Sequence, residues 1–163
     1  MGRTADYSKQ SCSIAATLEV IGDPWTLLVI RDAFNGTTRF EQWQDQLGVA
    51  RNVLASRLKS LVQHGVLEPR LYSERPPRNE YVLTRKGRDL SDVLITLHGW
   101  GSKHLYQDVD PGISFKHATC GAELSPRLAC TCCGEIVNRR DIVTHRTADC
   151  PTVGEVMPKD EAA

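Results

Sequence analysis

The stretch that decides the fold is residues 50–65, Ala-Arg-Asn-Val-Leu-Ala-Ser-Arg-Leu-Lys-Ser-Leu-Val-Gln-His-Gly. Its apolar side chains recur at the i, i+4, i+7, i+8 spacing of a helix with one apolar stripe. These residues are Leu54, Leu58, Leu61 and Val62. Gly65 is of the type that ends a helix. The sequence therefore predicts a helix over residues 50–64 that buries one side.

The other side of this predicted helix carries small, hydrogen-bonding or positively charged side chains, namely Arg51, Asn52, Ala55, Ser56 and Lys59. Side chains of these types read base edges when a helix lies in the major groove of DNA. Taken alone, the pattern also fits an ordinary amphipathic surface helix. The segments around it favour DNA, and Arg51, Asn52, Ser56 and Lys59 are the expected contacts.

Three helices are predicted before this one. The first covers residues 11–21, and the second covers residues 25–34, where Asp23 is a suitable N-cap and the apolar run indicates a central place in the core. Thr38 and Glu41 have the spacing of a capping box that would open a third helix ending near Gly48. Two short helices joined by a tight turn outline a helix-turn-helix.

A β-hairpin is predicted directly after the second helix of that motif. One strand covers residues 66–73 and is interrupted by Pro69, a turn covers residues 74–78, and a returning strand covers residues 80–83. A hairpin in this position is a wing. Its predicted tip holds Arg75 and Arg78, which could reach a phosphate backbone or a minor groove.

A long helix is predicted over residues 85–106, with Thr84 as its cap. Its apolar surface is larger than a short wing can cover. A second copy of the chain would cover the remainder, as in a twofold dimer that binds a two-part DNA site.

Charge is unevenly distributed, although the whole chain has a net charge of zero. Residues 50–88 hold nine basic and three acidic side chains. A local positive field attracts a polyanion. A solvated basic surface is the alternative interpretation.

Five of the six cysteines lie in the last third of the chain. Nine residues separate His-x2-Cys from Cys-x2-Cys, and each pair ends in Gly, which permits a tight turn. Zn²⁺ accepts three thiolates and one imidazole in a closed structural site, so the predicted ligands are His117, Cys120, Cys130 and Cys133. Free thiols, oxidised pairs, or a ligand set that uses Cys132, His145 or Cys150 remain alternatives.

Several sequence pieces, in order, resemble the HxlR-type winged helix-turn-helix regulators, which are relatives of the MarR group. They include Cys12, residues 21–28 (Ile-Gly-Asp-Pro-Trp-Thr-Leu-Leu), Arg39-Phe40, Val53-Leu54-x-x-Arg57-Leu58-x-x-Leu61, Gly65-Val66-Leu67, Pro76-Pro77-x-x-Glu80-Tyr81-x-Leu83-Thr84 and Gly87. The chain departs from the family pattern at Ser13, where the family often has Pro.

The resemblance implies an α+β fold that is mainly helical, with a winged helix-turn-helix domain over residues 10–107 and a two-stranded wing. A zinc-ribbon-like module over residues 115–141 resembles an extension found in some family members, and residues 142–163 are expected to be partly disordered. The implied function is that of a homodimeric bacterial transcription factor, expected to repress, to bind double-stranded DNA and to act in the cytoplasm without membrane contact.

Two further residues join the expected DNA-binding set. Arg39 lies in one of the family-like pieces, and Arg57 lies nearer the apolar stripe, where a phosphate or a neighbouring acidic side chain could be its partner. A protein-interaction module that keeps the winged-helix frame without binding DNA is the alternative function. No enzyme is predicted, since no general base accompanies the four proposed zinc ligands.

A signal could release the DNA. In some similar regulators a cysteine near the position of Cys12 senses oxidants, and a helix N-terminus favours a thiolate. Cysteine is also a common small buried residue. A small-molecule effector could instead bind beside Trp25, Trp43 and Trp100, although these tryptophans could equally be plain core.

Overall fold

The computed structural model describes residues 6–106, 109–145, 147 and 149–157. In chain order the helices are α1 (Ser13–Ile21), α2 (Pro24–Phe34), α3 (Phe40–Leu47), α4 (Arg51–Gln63), α5 (Arg85–Arg88), α6 (Ser91–Leu105) and α7 (Val153–Val156). The strands are β1 (Leu67–Glu74), β2 (Pro77–Leu83), β3 (Leu128–Ala129) and β4 (Ile136–Val137). No single helix in these ranges is long and apolar enough to cross a membrane, and α1 with α2 would be so only as a pair bent by 78°.

The core forms where α4 packs on α2. Leu54, Leu58 and Leu61 of α4 are buried, as the spacing in residues 50–65 predicts, while Val62 is only half-buried. On α2, Val29 and Ile30 are fully buried, which confirms the central position predicted for that helix. Removing such side chains from water is the main stabilising contribution, about 1.5–3 kcal/mol for each fully buried one.

Trp43 connects α3 to both α2 and the wing. Its ring is fully buried and its Nε1 donates a hydrogen bond to the Val29 carbonyl oxygen at 3.1 Å. Tyr81 of β2 packs edge-on against it, with ring centroids 6.3 Å apart. Trp43 is therefore a core residue, whereas Trp25 is half-buried and Trp100 is exposed.

The start of α3 differs from the prediction by one residue. The cap residue is Arg39, and the Gln42 side chain accepts hydrogen bonds from the backbone N–H groups of Thr38 and Arg39, at 3.2 and 3.0 Å. The Thr38 hydroxyl instead donates to Glu80 of β2. The predicted Thr38–Glu41 box is wrong, because the Thr38 hydroxyl is engaged by β2 and Gln42 supplies the side chain that accepts from the backbone of the cap residue.

The wing is a hairpin of β1 and β2, as predicted, but it is longer than expected. Its register runs from Leu67 opposite Leu83 to Glu74 opposite Pro77, with an irregularity between Leu71 and Ser73. Pro69 does not interrupt β1, because a two-stranded sheet has only edge strands, where the missing N–H can face outward.

The helix predicted over residues 85–106 is two helices. Thr84 caps the first, α5, as expected, since its hydroxyl accepts a hydrogen bond from the Gly87 N–H at 3.0 Å. Residues 89–90 then separate α5 from α6. Gly87 lies so close to the Val66 carbonyl oxygen that α5 is fixed to the start of the wing.

The chain forms two compact units. Among the described residues, one comprises residues 6–89, 147 and 149–157, and the other comprises residues 90–106 and 109–145. The first unit thus contains the helix-turn-helix and the wing, while the second contains α6 and the cysteine-rich segment.

The C-terminal segment returns to the first unit. Backbone N–H groups of Val153 and Gly154 donate to the carbonyl oxygens of Gln10 and Ser8, at 2.7 and 2.9 Å, and the Val153 side chain is buried. Partial disorder is expected over 142–163. Part of that stretch, residues 146, 148 and 158–163, lies outside the described residues, whereas residues 149–157 include α7.

Replacing Gly87 by Ala tests the contact between α5 and the wing. A Cβ at this position would lie 2.2 Å from the Val66 carbonyl oxygen, so the helix must move away from the wing. We expect the free energy of unfolding, measured by urea denaturation, to fall by about 1–3 kcal/mol. Arg85→Ala, an exposed change on the same helix, should alter it by no more than about 0.5 kcal/mol. Equal effects of the two changes would contradict the close approach.

Candidate nucleic-acid interface

The exposed side of α4 is a continuous stripe. Its residues lie opposite the buried leucines, and all of them are exposed: Arg51, Asn52, Ala55, Ser56, Lys59 and Gln63. In the described part of the chain, the side chains of Asn52, Ser56 and Lys59 have no protein hydrogen-bond or ion-pair partner. We call the six exposed residues the α4 stripe. It presents donors and one ammonium group to solvent.

Arg51 is held at the start of the stripe by α3. Its guanidinium lies 4.7 Å from the centroid of the Phe40 ring and donates to the Gln44 side-chain oxygen at 3.2 Å. Phe40 and Gln44 are four residues apart, so they lie on the same side of α3. Gly48, in the left-handed conformation at φ 60°, makes the turn that places α3 beside α4.

Arg39 lies between α3 and the wing. Its guanidinium stacks over the Tyr72 ring of β1, 4.5 Å from the centroid. The backbone beside it joins β2, because the Tyr81 N–H donates to the Thr38 carbonyl oxygen at 2.7 Å. The start of α3 is thus tied to the wing, and Arg39 remains exposed on that surface.

The tip of the wing is a tight turn at Arg75 and Pro76. Arg75 lies in the turn, while Arg78 lies in β2 opposite Ser73 rather than in the turn as predicted. Both arginines are exposed. The Ser73 hydroxyl donates to the Pro76 carbonyl oxygen at 3.1 Å, which closes the tip. The wing therefore carries two positive charges at its end.

Arg57 is separate from the α4 stripe. Its side chain is only 21% exposed and its Nη2 lies 3.0 Å from Asp23 Oδ2. Of the two partners considered for Arg57 in the sequence, the structure places it beside the acidic one.

The cysteine-rich segment contains two similar turns. In the first, His117 Nδ1 lies 3.2 Å from Cys120 Sγ, and the Gly121 N–H donates to the His117 carbonyl oxygen at 2.8 Å. In the second, the Gly134 N–H donates to the Cys130 carbonyl oxygen at 2.8 Å. Both glycines have a positive φ, near 70°. The sequence pattern of two Gly-terminated pairs thus corresponds to two turns of the same form.

The pKa of the Cys130 thiol is lowered from its ordinary value. Backbone hydrogen bonds from Cys133 and then Cys132, followed by a side-chain hydrogen bond from Cys133, lower the pKa of the Cys130 thiol. These bonds favour the thiolate, which is the form that binds a metal. Within the described ranges, no three His, Cys, Asp or Glu side chains converge closely enough to hold a metal ion.

Cys12 occupies the N-cap position of α1 and is half-buried. The backbone there is extended, and its side chain makes no capping hydrogen bond. Cys12 therefore lies at a helix N-terminus, as the sequence predicts.

Sequence reasoning missed the residues that orient the predicted contacts. Phe40 and Tyr72 support Arg51 and Arg39, and no sequence pattern assigns them that role. Their pairing depends on tertiary neighbours. The only sequence signal was the presence of aromatic residues next to or opposite the basic ones.

The HxlR-like helix-turn-helix family profile matches residues 20–129. The chain belongs to this family. An HTH-type transcriptional regulator of Mycobacterium tuberculosis is 43% identical to it over 130 residues, which cover 80% of this chain and 82% of that protein. With an HTH-type regulator of Synechocystis it shares 39% identity over 98 residues, 60% of this chain and 73% of the relative.

Two solved structures extend the comparison. The crystal structure of PA1607, a proposed transcription factor, superposes with a TM-score of 0.76 at 34% identity and covers 86% of this chain and 99% of its own. The reduced form of the redox regulator HypR gives a TM-score of 0.54 at 25% identity and covers 59% of this chain and 98% of its own. The chain is thus a DNA-binding transcriptional regulator with a winged-helix fold. Its alignment with PA1607 extends well beyond the part shared with HypR.

Proposed function

We propose that two copies of this regulator bind a two-part operator, with α4 of each copy in a major groove. The observation that carries the proposal is the α4 stripe, whose Arg51, Asn52, Ser56 and Lys59 are all exposed opposite a fully buried side. A helix of this shape fits a groove about 12 Å wide. Arg51 and Asn52, at the N-terminal end of the helix, are best placed to reach base edges.

The wing and Arg39 would contact the DNA backbone. Arg75 and Arg78 lie at the exposed end of the hairpin, and Arg39 lies between that hairpin and α3. Contacts of this kind position a protein on the duplex without reading its sequence. In this proposal α4 supplies the sequence preference, while the wing supplies sequence-independent affinity.

Arg51→Ala and Arg78→Ala should separate these roles. Losing Arg51 removes a base contact, so affinity for the operator should fall by about 1–3 kcal/mol while affinity for random DNA changes little. Losing Arg78 should weaken binding to both and reduce the salt dependence. Fluorescence anisotropy with operator and random duplexes at two salt concentrations measures both effects. The same loss on both duplexes for both variants would contradict the division of roles.

The dimer is supported by an exposed apolar face on α6. Val93, Leu97 and Trp100, at i, i+4 and i+7, are 43, 50 and 57% exposed. Another side of the same helix is covered, since the His98 ring packs edge-on against Phe115 with centroids 5.0 Å apart. A contiguous apolar face of this kind is typical of a subunit interface.

Leu97→Asp tests the proposed dimer interface. A carboxylate at the centre of the apolar face would be desolvated without a partner, so the protein should become monomeric. Val143→Asp is the matched control, because Val143 is 89% exposed and lies outside α6. Light scattering after size-exclusion chromatography should give a dimer mass for the wild-type protein and for Val143→Asp, and a monomer mass for Leu97→Asp. A wild-type protein that is monomeric at micromolar concentration would rule out the interface.

We further propose that the cysteine-rich segment binds a structural zinc ion through His117, Cys120, Cys130 and Cys133. The donor set fits, with three thiols and one imidazole, and each half of it already forms a tight turn. Binding would require the two turns to come together, and it would supply folding energy to a segment whose residues are nearly all exposed. The alignment with PA1607 covers 86% of this chain, so PA1607 also has residues beyond the winged-helix part.

Native mass spectrometry tests the zinc proposal. The wild-type protein should carry one zinc ion per chain, and Cys133→Ser should lose it because one of four ligands is gone. Cys150→Ser should keep the ion, since Cys150 belongs to neither turn. A wild-type protein free of metal after purification without chelator would refute the site, and retention in Cys133→Ser would move the ligand set to another cysteine.

We also propose that a redox signal acts at Cys12. The half-buried thiol lies at the N-cap position of α1 and makes no capping hydrogen bond. HypR, a relative in structure, is itself a redox regulator. A small-molecule effector is the second candidate signal.

A further inference from the structure

Arg57 differs from every residue of the α4 stripe in its surroundings. Its Nη2 lies 3.0 Å from Asp23 Oδ2, and its side chain is 21% exposed. Its Nε is buried and has no hydrogen-bond partner among the described residues. A phosphate would have to compete with Asp23 for this guanidinium.

Asp23 uses its two carboxylate oxygens for two different helices. Oδ1 accepts a hydrogen bond from the Trp25 N–H at 3.0 Å and so caps α2. Oδ2 binds Arg57 in the middle of α4. The Asp23 side chain is only 20% exposed, which makes this pair less screened by solvent than a surface ion pair.

The leucines that bury α4 define which side of the helix faces the core, but they leave its exact angle less restrained. Apolar contacts are non-directional, so Leu54, Leu58 and Leu61 would tolerate small changes in the angle of the helix. The ion pair instead joins one atom of α4 to one atom at the capped end of α2, with Arg57 Nη2 and Asp23 Oδ2 3.0 Å apart. This point-to-point contact therefore restrains α4 in a way that its apolar contacts cannot.

We propose that Arg57 and Asp23 form a positioning pair that fixes the orientation of α4 on the capped end of α2. The pair sets which bases the α4 stripe can reach, and Arg57 itself touches no DNA. This inference rests on the proposed function, in which α4 enters the major groove. Arg57 influences which sequence is bound by holding α4 in position, whereas the exposed basic residues contact the DNA directly.

The test compares Arg57→Gln, Asp23→Asn and the double variant with Arg78→Ala as a control. Asn keeps a side-chain oxygen for the Trp25 N–H, so the α2 cap is retained while the ion pair is lost. The probes are a duplex selected from a random library by the wild-type protein and an unselected duplex. Fluorescence anisotropy at several salt concentrations gives the affinity for each probe and the salt slope.

Each single variant of the pair should bind the selected duplex about tenfold more weakly. The ratio of the affinity for the selected duplex to that for the unselected duplex should fall by the same factor. The double variant should be no worse than the weaker single variant, because the two residues act as one unit. The salt slope should be unchanged, whereas Arg78→Ala should reduce it by about one, because it removes a proposed contact with the DNA backbone.

Three results would overturn the proposal. A reduced salt slope in Arg57→Gln would make Arg57 a phosphate contact. Tighter binding by Asp23→Asn would mean that the carboxylate merely repels DNA, and unchanged ratios in both variants would mean that the pair does not influence recognition. Circular dichroism checks folding, and if Arg57→Gln is unfolded, Asp23→Asn alone decides. Absence of salt-dependent binding by the wild-type protein would instead refute the proposed function.

Discussion

The burial of one side of α4 against α2 is the constraint on which the rest of the structure depends. Leu54, Leu58 and Leu61 are at most 1% exposed, and Val29 and Ile30 of α2 are fully buried. Because these apolar side chains must leave water together, the polar side of α4 faces outward. The wing follows immediately, with Val66 and Leu67 buried at its start, so the same core fixes both proposed DNA-contacting elements.

The helix-turn-helix could be predicted from the sequence because its signals are local. Leucine spacing defined α4, Asp23-Pro24 defined the start of α2, and Gly48 marked the turn between the two short helices. The predictions that failed depend on distant residues. Thr38 is engaged by Glu80, forty-two positions away, and Gly87 of α5 lies close to the Val66 carbonyl oxygen, twenty-one positions away. No local pattern records either contact. The role of Asp23 as a partner for Arg57 also required the tertiary structure, although each residue stood out in the sequence.

The C-terminal part of the chain contributes to both units. In the second unit, Phe115 packs on His98 of α6, the helix proposed to form the dimer. The turn that contains His117 and Cys120 follows Phe115 directly in the chain. In the first unit, the last described residues return to the arm that precedes α1, where Val153 is buried. The zinc proposal therefore concerns a segment with little core of its own, whereas the last described residues are fixed to the arm before α1.

The central claim is that α4 of each subunit enters a major groove, and methylation protection measures this most directly. Dimethyl sulfate modifies guanine N7, which lies in the major groove. With the selected duplex, the wild-type protein should protect guanines in two segments whose centres are about 10 base pairs, or a multiple of that, apart. Guanine N7 atoms that stay reactive while the protein is bound to the same duplex would contradict the claim.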